Sequence, residues 1–242
     1  MFPIKDTIPA RSFPIINWCI IAFNSIIFAF QLTLNETELQ TLFYVFGLVP
    51  ARYSHLEWAD MVGLRANDYW PFITNTFLHG GWAHFLGNMW TLYIFGDNVE
   101  DRMGKARYLI FYLLCGLAAS FTHYWVNIDS TVPAIGASGA ISGVMAAYMF
   151  LFPKSQIIFF FPILFIPYFI ELSAFFYIGV WFVGQFISGT FDALFDNQAT
   201  GIAFWAHIGG FLAGAILFSF FITPSPRKMY EDEFNRRYFE YY

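Results

Sequence analysis

Long apolar segments constrain this chain more than anything else in it. A hydrocarbon layer of about 30 Å is crossed by roughly twenty apolar residues in a helix. The segments near residues 14–34, 77–96, 107–127 and 201–223 meet that requirement. Residues 138–152 are apolar but few. A helix starting at Ser138, after Pro133 and the glycines that follow it, measures about 22 Å at ~1.5 Å per residue, so one of its ends is expected below the membrane surface. The run from Gln156 to Thr190 is long enough for two spans, yet Pro162 and Pro167 interrupt it and it carries Glu171. With 58% hydrophobic and 12% charged residues over a length of 242, the chain reads as an integral membrane protein.

Basic residues settle the number of spans. With six, Lys5, Arg11, Arg102, Lys105, Arg107, Lys154, Arg227, Lys228, Arg236 and Arg237 share one side, leaving Arg52 and Arg65 on the other. Positive charge gathers on the cytoplasmic side, and a seventh span would export the basic tail. The expectation is an all-α polytopic protein with six transmembrane helices and both termini cytoplasmic. Its parts are an N-terminus at 1–13, a membrane domain at 14–223 with spans near 14–34, 77–96, 107–127, 138–152, 169–190 and 201–223, and a tail at 224–242. Residues 156–168 are expected to be interfacial or re-entrant. The first loop, 35–76, mixes Leu39, Phe43, Tyr44, Phe46, Trp58 and Trp70 with acids, as short helices at the outer interface do. The N-terminal apolar run is read as a retained span because it is longer than the core of a signal peptide and lacks a small-residue cleavage site.

A net charge of −5 and scattered basic residues leave no basic face, so nucleic acid is not an expected partner. Cys19 and Cys115 lie within apolar segments and read as small buried hydrophobes.

Three polar sites meet at one depth. With the N-terminus inside, spans two, four and six all run from the outer face inward. His84 and His207 then lie about 9 to 12 Å below the outer boundary at ~1.5 Å per residue, and Ser138 at the sunken start of the fourth helix reaches the same layer. Polar groups at that depth are costly unless they face a protein interior or a water-filled cavity, which makes their convergence a functional signal. Gly139 and Gly143 form a GxxxG step, and Ala203, Ala206, Gly210 and Gly214 form a facing stripe of small residues that lets helices approach closely. The same glycines also suit packing alone. Close approach is what a serine nucleophile and a histidine base require.

His84 and Asn88, four apart, share a helical face and can donate to an oxyanion. The Ser138 N–H near a helix N-terminus is a third donor. His84 also reads as a structural histidine bonded to a carbonyl. A metal set of His79, His84 and His207 lacks a Cys, Asp or Glu at ligand spacing, so neither metal nor cofactor is expected. His55 and His123 sit near loops and read as interfacial residues.

The segments FLHGGWAHFLGNMW, FGDNVEDRMG, GASGAISG, WFVGQ and AHIGG, in this order and placed on spans two, four, five and six, resemble the rhomboid family of intramembrane serine proteases. The resemblance implies Ser138 as nucleophile, His207 as general base, and His84 and Asn88 as oxyanion donors. It further implies a cavity that opens outward, gated by span five and the loop from Phe191 to Thr200. The substrates would be transmembrane segments of other membrane proteins. With no recognisable long transit segment, a bacterial plasma membrane is expected over an organelle. A hydrogen-bonded helix hides its carbonyls, so a substrate must unwind locally before attack.

Two positions depart from the family pattern. Ser142 stands where some members place an aromatic residue against the catalytic histidine, and Trp70-Pro71 replaces a Trp-Arg pair in the first loop. Glu100 and Arg102, in the turn after span two, read as a structural ion pair or as helix-end contacts. Two other functions fit part of the pattern. One is a proteolytically inactive rhomboid-like protein that binds transmembrane helices, and the other is a transporter with a histidine proton relay, which lacks the expected repeats.

Overall fold

The computed structural model describes residues 2–163, 166–195 and 203–223. The chain opens with strand β1 (Phe2–Asp6) and helix α1 (Ile15–Gln31), followed by the short helices α2 (Glu36–Phe46), α3 (Ala51–Ser54), α4 (Leu56–Met61) and α5 (Pro71–Thr74) and a 3-10 turn at Asn75–Phe77. Then come α6 (Trp82–Met103), α7 (Lys105–Val126), α8 (Ser138–Leu151), strands β2 (Gln156–Ile163) and β3 (Ile166–Ser173), α9 (Ala174–Phe195) and α10 (Phe204–Phe221). Three helices are long and apolar enough to cross a membrane: α7, α9 as far as Phe191, and α10. Helices α1 and α8 are apolar but shorter.

The helical expectation holds, with one addition. Residues 156–173 form an antiparallel hairpin, and β1 joins it in the order β1-β2-β3. The fold is therefore not all-α, and the stretch expected to be interfacial is a sheet that extends beyond 168. Its residues are β-branched and aromatic, which suit a pleated surface. Pro162 and Pro167, which exclude a helix interior, face each other near the hairpin tip. Because β3 occupies 169–173, helix α9 starts at Ala174 rather than 169.

Helix α6 also departs from its expected bounds. Gly80 and Gly81 delay its start to Trp82, and it continues past residue 96 to Met103, where Gly104 ends it with a left-handed φ of 80°. Its polar last turns persist because they have partners. Glu100 accepts the N–H groups of Ile16 at 3.2 Å and Asn17 at 2.8 Å, capping α1 from another part of the chain. Asp101 accepts the Arg11 N–H at 2.5 Å and the Ser12 hydroxyl at 2.5 Å. Glu100 and Arg102 thus lie inside the helix rather than in a turn after it, and Glu100 serves helix ends.

A polar seam fastens α1. Asn17, Asn24 and Gln31 recur at intervals of seven and are all buried. Asn17 donates to the Leu92 carbonyl at 3.0 Å and accepts from the Tyr108 hydroxyl at 2.8 Å. Gln31 closes a reciprocal pair with the backbone of His79. Each such interhelical bond is worth on the order of 1 kcal/mol in lipid. Cys115 is buried, whereas Cys19 lies exposed on α1, contrary to its reading as a core residue.

The first loop does fold into short helices. Asn35 and Glu38 form a reciprocal capping box on α2. Arg52, 2% exposed, donates to the carbonyls of Val45 and Arg65 and pairs with Asp68 at 3.1 Å. It gives this loop a buried arginine from a position other than the one after Trp70. Burial of the neighbouring Tyr53 pushes its phenol up to about 12.

Helix α8 is the hub, with eleven of its fourteen residues buried among α6, α7 and α10. A Cβ on Gly210 would lie 1.9 Å from the Gly139 carbonyl oxygen, and one on Gly214 would lie 2.3 Å from that of Gly143. The small-residue stripes therefore meet backbone to backbone. The expected tail at 224–242, and the part of the expected gating loop from 196 to 200, lie outside the described residues.

Candidate functional site

Ser138 is the first residue of α8, and Ala206 to Gly210 form the first turns of α10. The close α8–α10 contact brings their side chains together: the Ser138 hydroxyl lies 2.7 Å from His207 Nε2. Both are part-buried. The Ser138 N–H lies in the first turn of α8, where backbone donors lack intrahelical acceptors.

Opposite them stand His84 and Asn88, one turn apart on α6. The Gly80 N–H points at His84 Nδ1 at 3.5 Å, so Nδ1 accepts and the neutral ring carries its one N–H donor on Nε2. Asn88 is buried, and its Nδ2 has no partner among the described residues. An unsatisfied buried donor costs about 1–3 kcal/mol, so this amide is held ready at a cost.

Gly136 separates the two sides. Its φ of 127° is one that side chains disfavour, and a Cβ there would lie 2.6 Å from His84 Nε2 and 3.6 Å from the Ser138 hydroxyl. The first glycine of GASG thus keeps open the space between Ser138 and His84. Behind Ser138 lies a cavity of about 20 Å³, lined by Asn75, Ser120, His123 and Gly136 among others, about the room one water needs.

His207 has two further contacts, both from α9. Its Nδ1 lies 2.7 Å from Gln185 Oε1, and the ring of Trp181 is centred 5.9 Å away. Trp181 and Gln185 are four apart in WFVGQ and so lie on one face. That spacing is the sequence signal that joins them, but alone it does not show which helix the face meets. Ser142 turns back to bond the Ser138 carbonyl at 2.6 Å. The aromatic neighbour of the histidine therefore comes from α9 instead of α8.

His79, considered as a metal ligand, is 1% exposed and packs edge-on to His84 at 5.2 Å. Among the described residues no group of three His, Cys, Asp or Glu is placed to hold a metal. His55 pairs with Asp129 at 2.7 Å, joining two loops. His123 lies 3.3 Å from the Asn127 amide and borders the small cavity.

The serine–histidine contact lies at the rim of this helical hub. The Rhomboid domain model matches residues 66–224, and the chain belongs to the rhomboid family. It is 33% identical over 118 residues to the "Putative rhomboid protease YdcA" of Bacillus subtilis, covering 47% of this chain and 58% of that protein. It is 29% identical over 181 residues to the "RHOMBOID-like protein 6, mitochondrial" of Arabidopsis thaliana, covering 73% of this chain and 50% of that one. With "Rhomboid protease GluP" of Bacillus subtilis it shares 33% over 88 residues, 36% of this chain and 17% of that one. In each of these three alignments the chain spans less than two thirds of the relative's length. Family and apolar helices together make it a membrane protein.

Proposed function

We propose that this chain is an intramembrane serine endopeptidase acting through a Ser138–His207 dyad on peptide bonds in or near transmembrane helices of other membrane proteins. The observation that carries the reading is the 2.7 Å contact between the Ser138 hydroxyl and His207 Nε2, a nucleophile–base distance. Ser138 Oγ attacks the scissile carbonyl carbon while its proton passes to His207 Nε2. The negative oxygen accepts from the Ser138 N–H, His84 Nε2–H and Asn88 Nδ2–H, and removing one such donor typically costs about 100- to 1000-fold in kcat. His207 then protonates the leaving amine as the C–N bond breaks, giving an acyl-enzyme on Ser138. A water, deprotonated by His207, hydrolyses that ester and restores the serine.

The proposed setting is a bacterial plasma membrane crossed six times, by α1, α6, α7, α8, α9 and α10, with both termini cytoplasmic. The basic-residue distribution supports this topology. The site then lies toward the outer leaflet, where a substrate helix end can unwind. The deciding experiment is cleavage of a tagged transmembrane substrate by the purified chain in detergent. Wild-type turnover that disappears in Ser138→Ala and His207→Ala, with helix content preserved, is the expected result. Equal turnover in all three overturns the dyad. Silence in the wild type with retained substrate binding points instead to a helix-binding protein.

A further inference from the structure

Resting on the dyad reading, we propose that Gln185 of α9 is a positioning residue that sets the tautomer and orientation of His207. For Nε2 to take the Ser138 proton, the neutral ring must carry its own hydrogen on Nδ1. Gln185 Oε1, which can only accept, lies 2.7 Å from Nδ1. The opposite tautomer would put a hydrogen on Nε2 and abolish its use as a base.

No other hydrogen bond to Nδ1 exists among the described residues. Ser142, which occupies the α8 position of a family aromatic residue, is committed to the Ser138 carbonyl. Trp181 lies beside the ring, tilted by 36°, and so limits its tilt without choosing its tautomer. The amide also suits both protonation states. When the ring becomes imidazolium its Nδ1–H still donates to Oε1, so the proton transfer requires no rearrangement at Gln185. A carboxylate there would be a better acceptor, but burying an ionised group is far more costly than burying an amide.

The placement on α9 has a consequence for catalysis. Val183 and Ile187, which flank Gln185 in sequence and share a face, are exposed, so that face of the helix is not packed on protein. Outward displacement of α9 breaks the Gln185–His207 bond, and the ring then loses the contact that selects its base form. The position of α9 and the competence of the dyad are thereby one variable.

The test compares wild type, Gln185→Leu and Gln185→Glu of the full chain in detergent. Leu fills similar volume without an acceptor, and Glu retains one whether ionised or protonated. In Gln185→Leu, kcat is expected to fall by about 10- to 100-fold, the scale on which an imidazole loses its orienting partner in other sites. KM and the melting temperature should stay near wild type, and Gln185→Glu should restore most of kcat. Wild-type kcat in Gln185→Leu, or an equal loss in both variants, overturns the proposal. A second readout is independent of turnover. In protein carrying 15N-histidine, the His207 signal, assigned by its disappearance in His207→Ala, should report an Nδ1-protonated ring in wild type and a gain of the Nε2-protonated form in Gln185→Leu. An unchanged spectrum also overturns the proposal. If Ser138→Ala turns over like wild type while this spectrum changes as expected, the dyad reading fails and the orienting contact stands.

Discussion

Helices α8 and α9 are neighbours in helix order, and both supply the site, but they are built on opposite terms. Helix α8 carries the serine and is enclosed on nearly every side, down to the backbone contacts that Gly139 and Gly143 allow. Helix α9 carries Trp181 and Gln185, and Phe175, Phe176, Val180, Val183, Phe186, Ile187 and Phe191 along it are exposed. A glycine in α8 is needed for packing, whereas a Cβ added to Gly179 or Gly184 in α9 would meet no atom within 4 Å. Ser138 is thus fixed by the core, and the groups beside His207 are fixed by a helix with one free face. Precision and accessibility are supplied by different elements.

Breaking the packed side should have the largest effect. Gly210→Ala places a methyl group 1.9 Å from the Gly139 oxygen; the helices must separate, and a stability loss of about 3 kcal/mol or more is expected. Thermal unfolding in detergent measures it, and an unchanged melting temperature would show that α8 and α10 can part there without loss. Next comes Gly136→Ala, which meets both a disfavoured φ and the His84 ring. Its strain is about 1–3 kcal/mol, but its main expected effect is an activity loss of about 100-fold or more as the oxyanion space fills. Retained kcat would mean that this space is not where charge develops.

A smaller effect is expected under α9, at the sheet from which it emerges. Asp6 of β1 accepts from the Tyr148 hydroxyl and from the Asn98 amide at 3.0 Å. Burial pushes its carboxyl up to about 7. The folded chain therefore holds a proton that the unfolded chain gives up near pH 4, so this contribution to stability is complete below about pH 4 and is lost as the pH rises through about 7. Asp6→Asn keeps an acceptor without the charge. Its melting temperature should exceed that of wild type at pH 8 and match it only at about pH 4 or below, and parallel curves would remove Asp6 as the cause. Smallest of all is Gly184→Ala on the open face, expected to change stability by no more than about 0.5 kcal/mol; a large loss there would show that α9 is packed after all.

The parts of the chain legible in the sequence are those that a single helix announces. The short α8 follows from Pro133 and the glycine punctuation, and the meeting of Ser138, His84 and His207 follows from helix direction and depth. What escapes depends on distant partners. The apolar run of 156–173 has no helical or strand identity until β1 arrives to pair with it. The polar end of α6 looks like a turn because the N–H groups that satisfy Glu100 belong to residues 16 and 17. Gln185 reads as one amide in an apolar helix, and only the fold shows that it faces His207. Arg52 similarly gives no hint in sequence that it will be buried among loop carbonyls.

The sheet at the base of α9 also orders events in time. Asp6 and Tyr148 are 142 residues apart, so β1 emerges from the ribosome long before anything it binds. Helix α1 can enter the bilayer while the residues ahead of it wait, and contacts of such long sequence separation form late and slowly. The residues of β1 are made early in this domain and should be among the last to find their place.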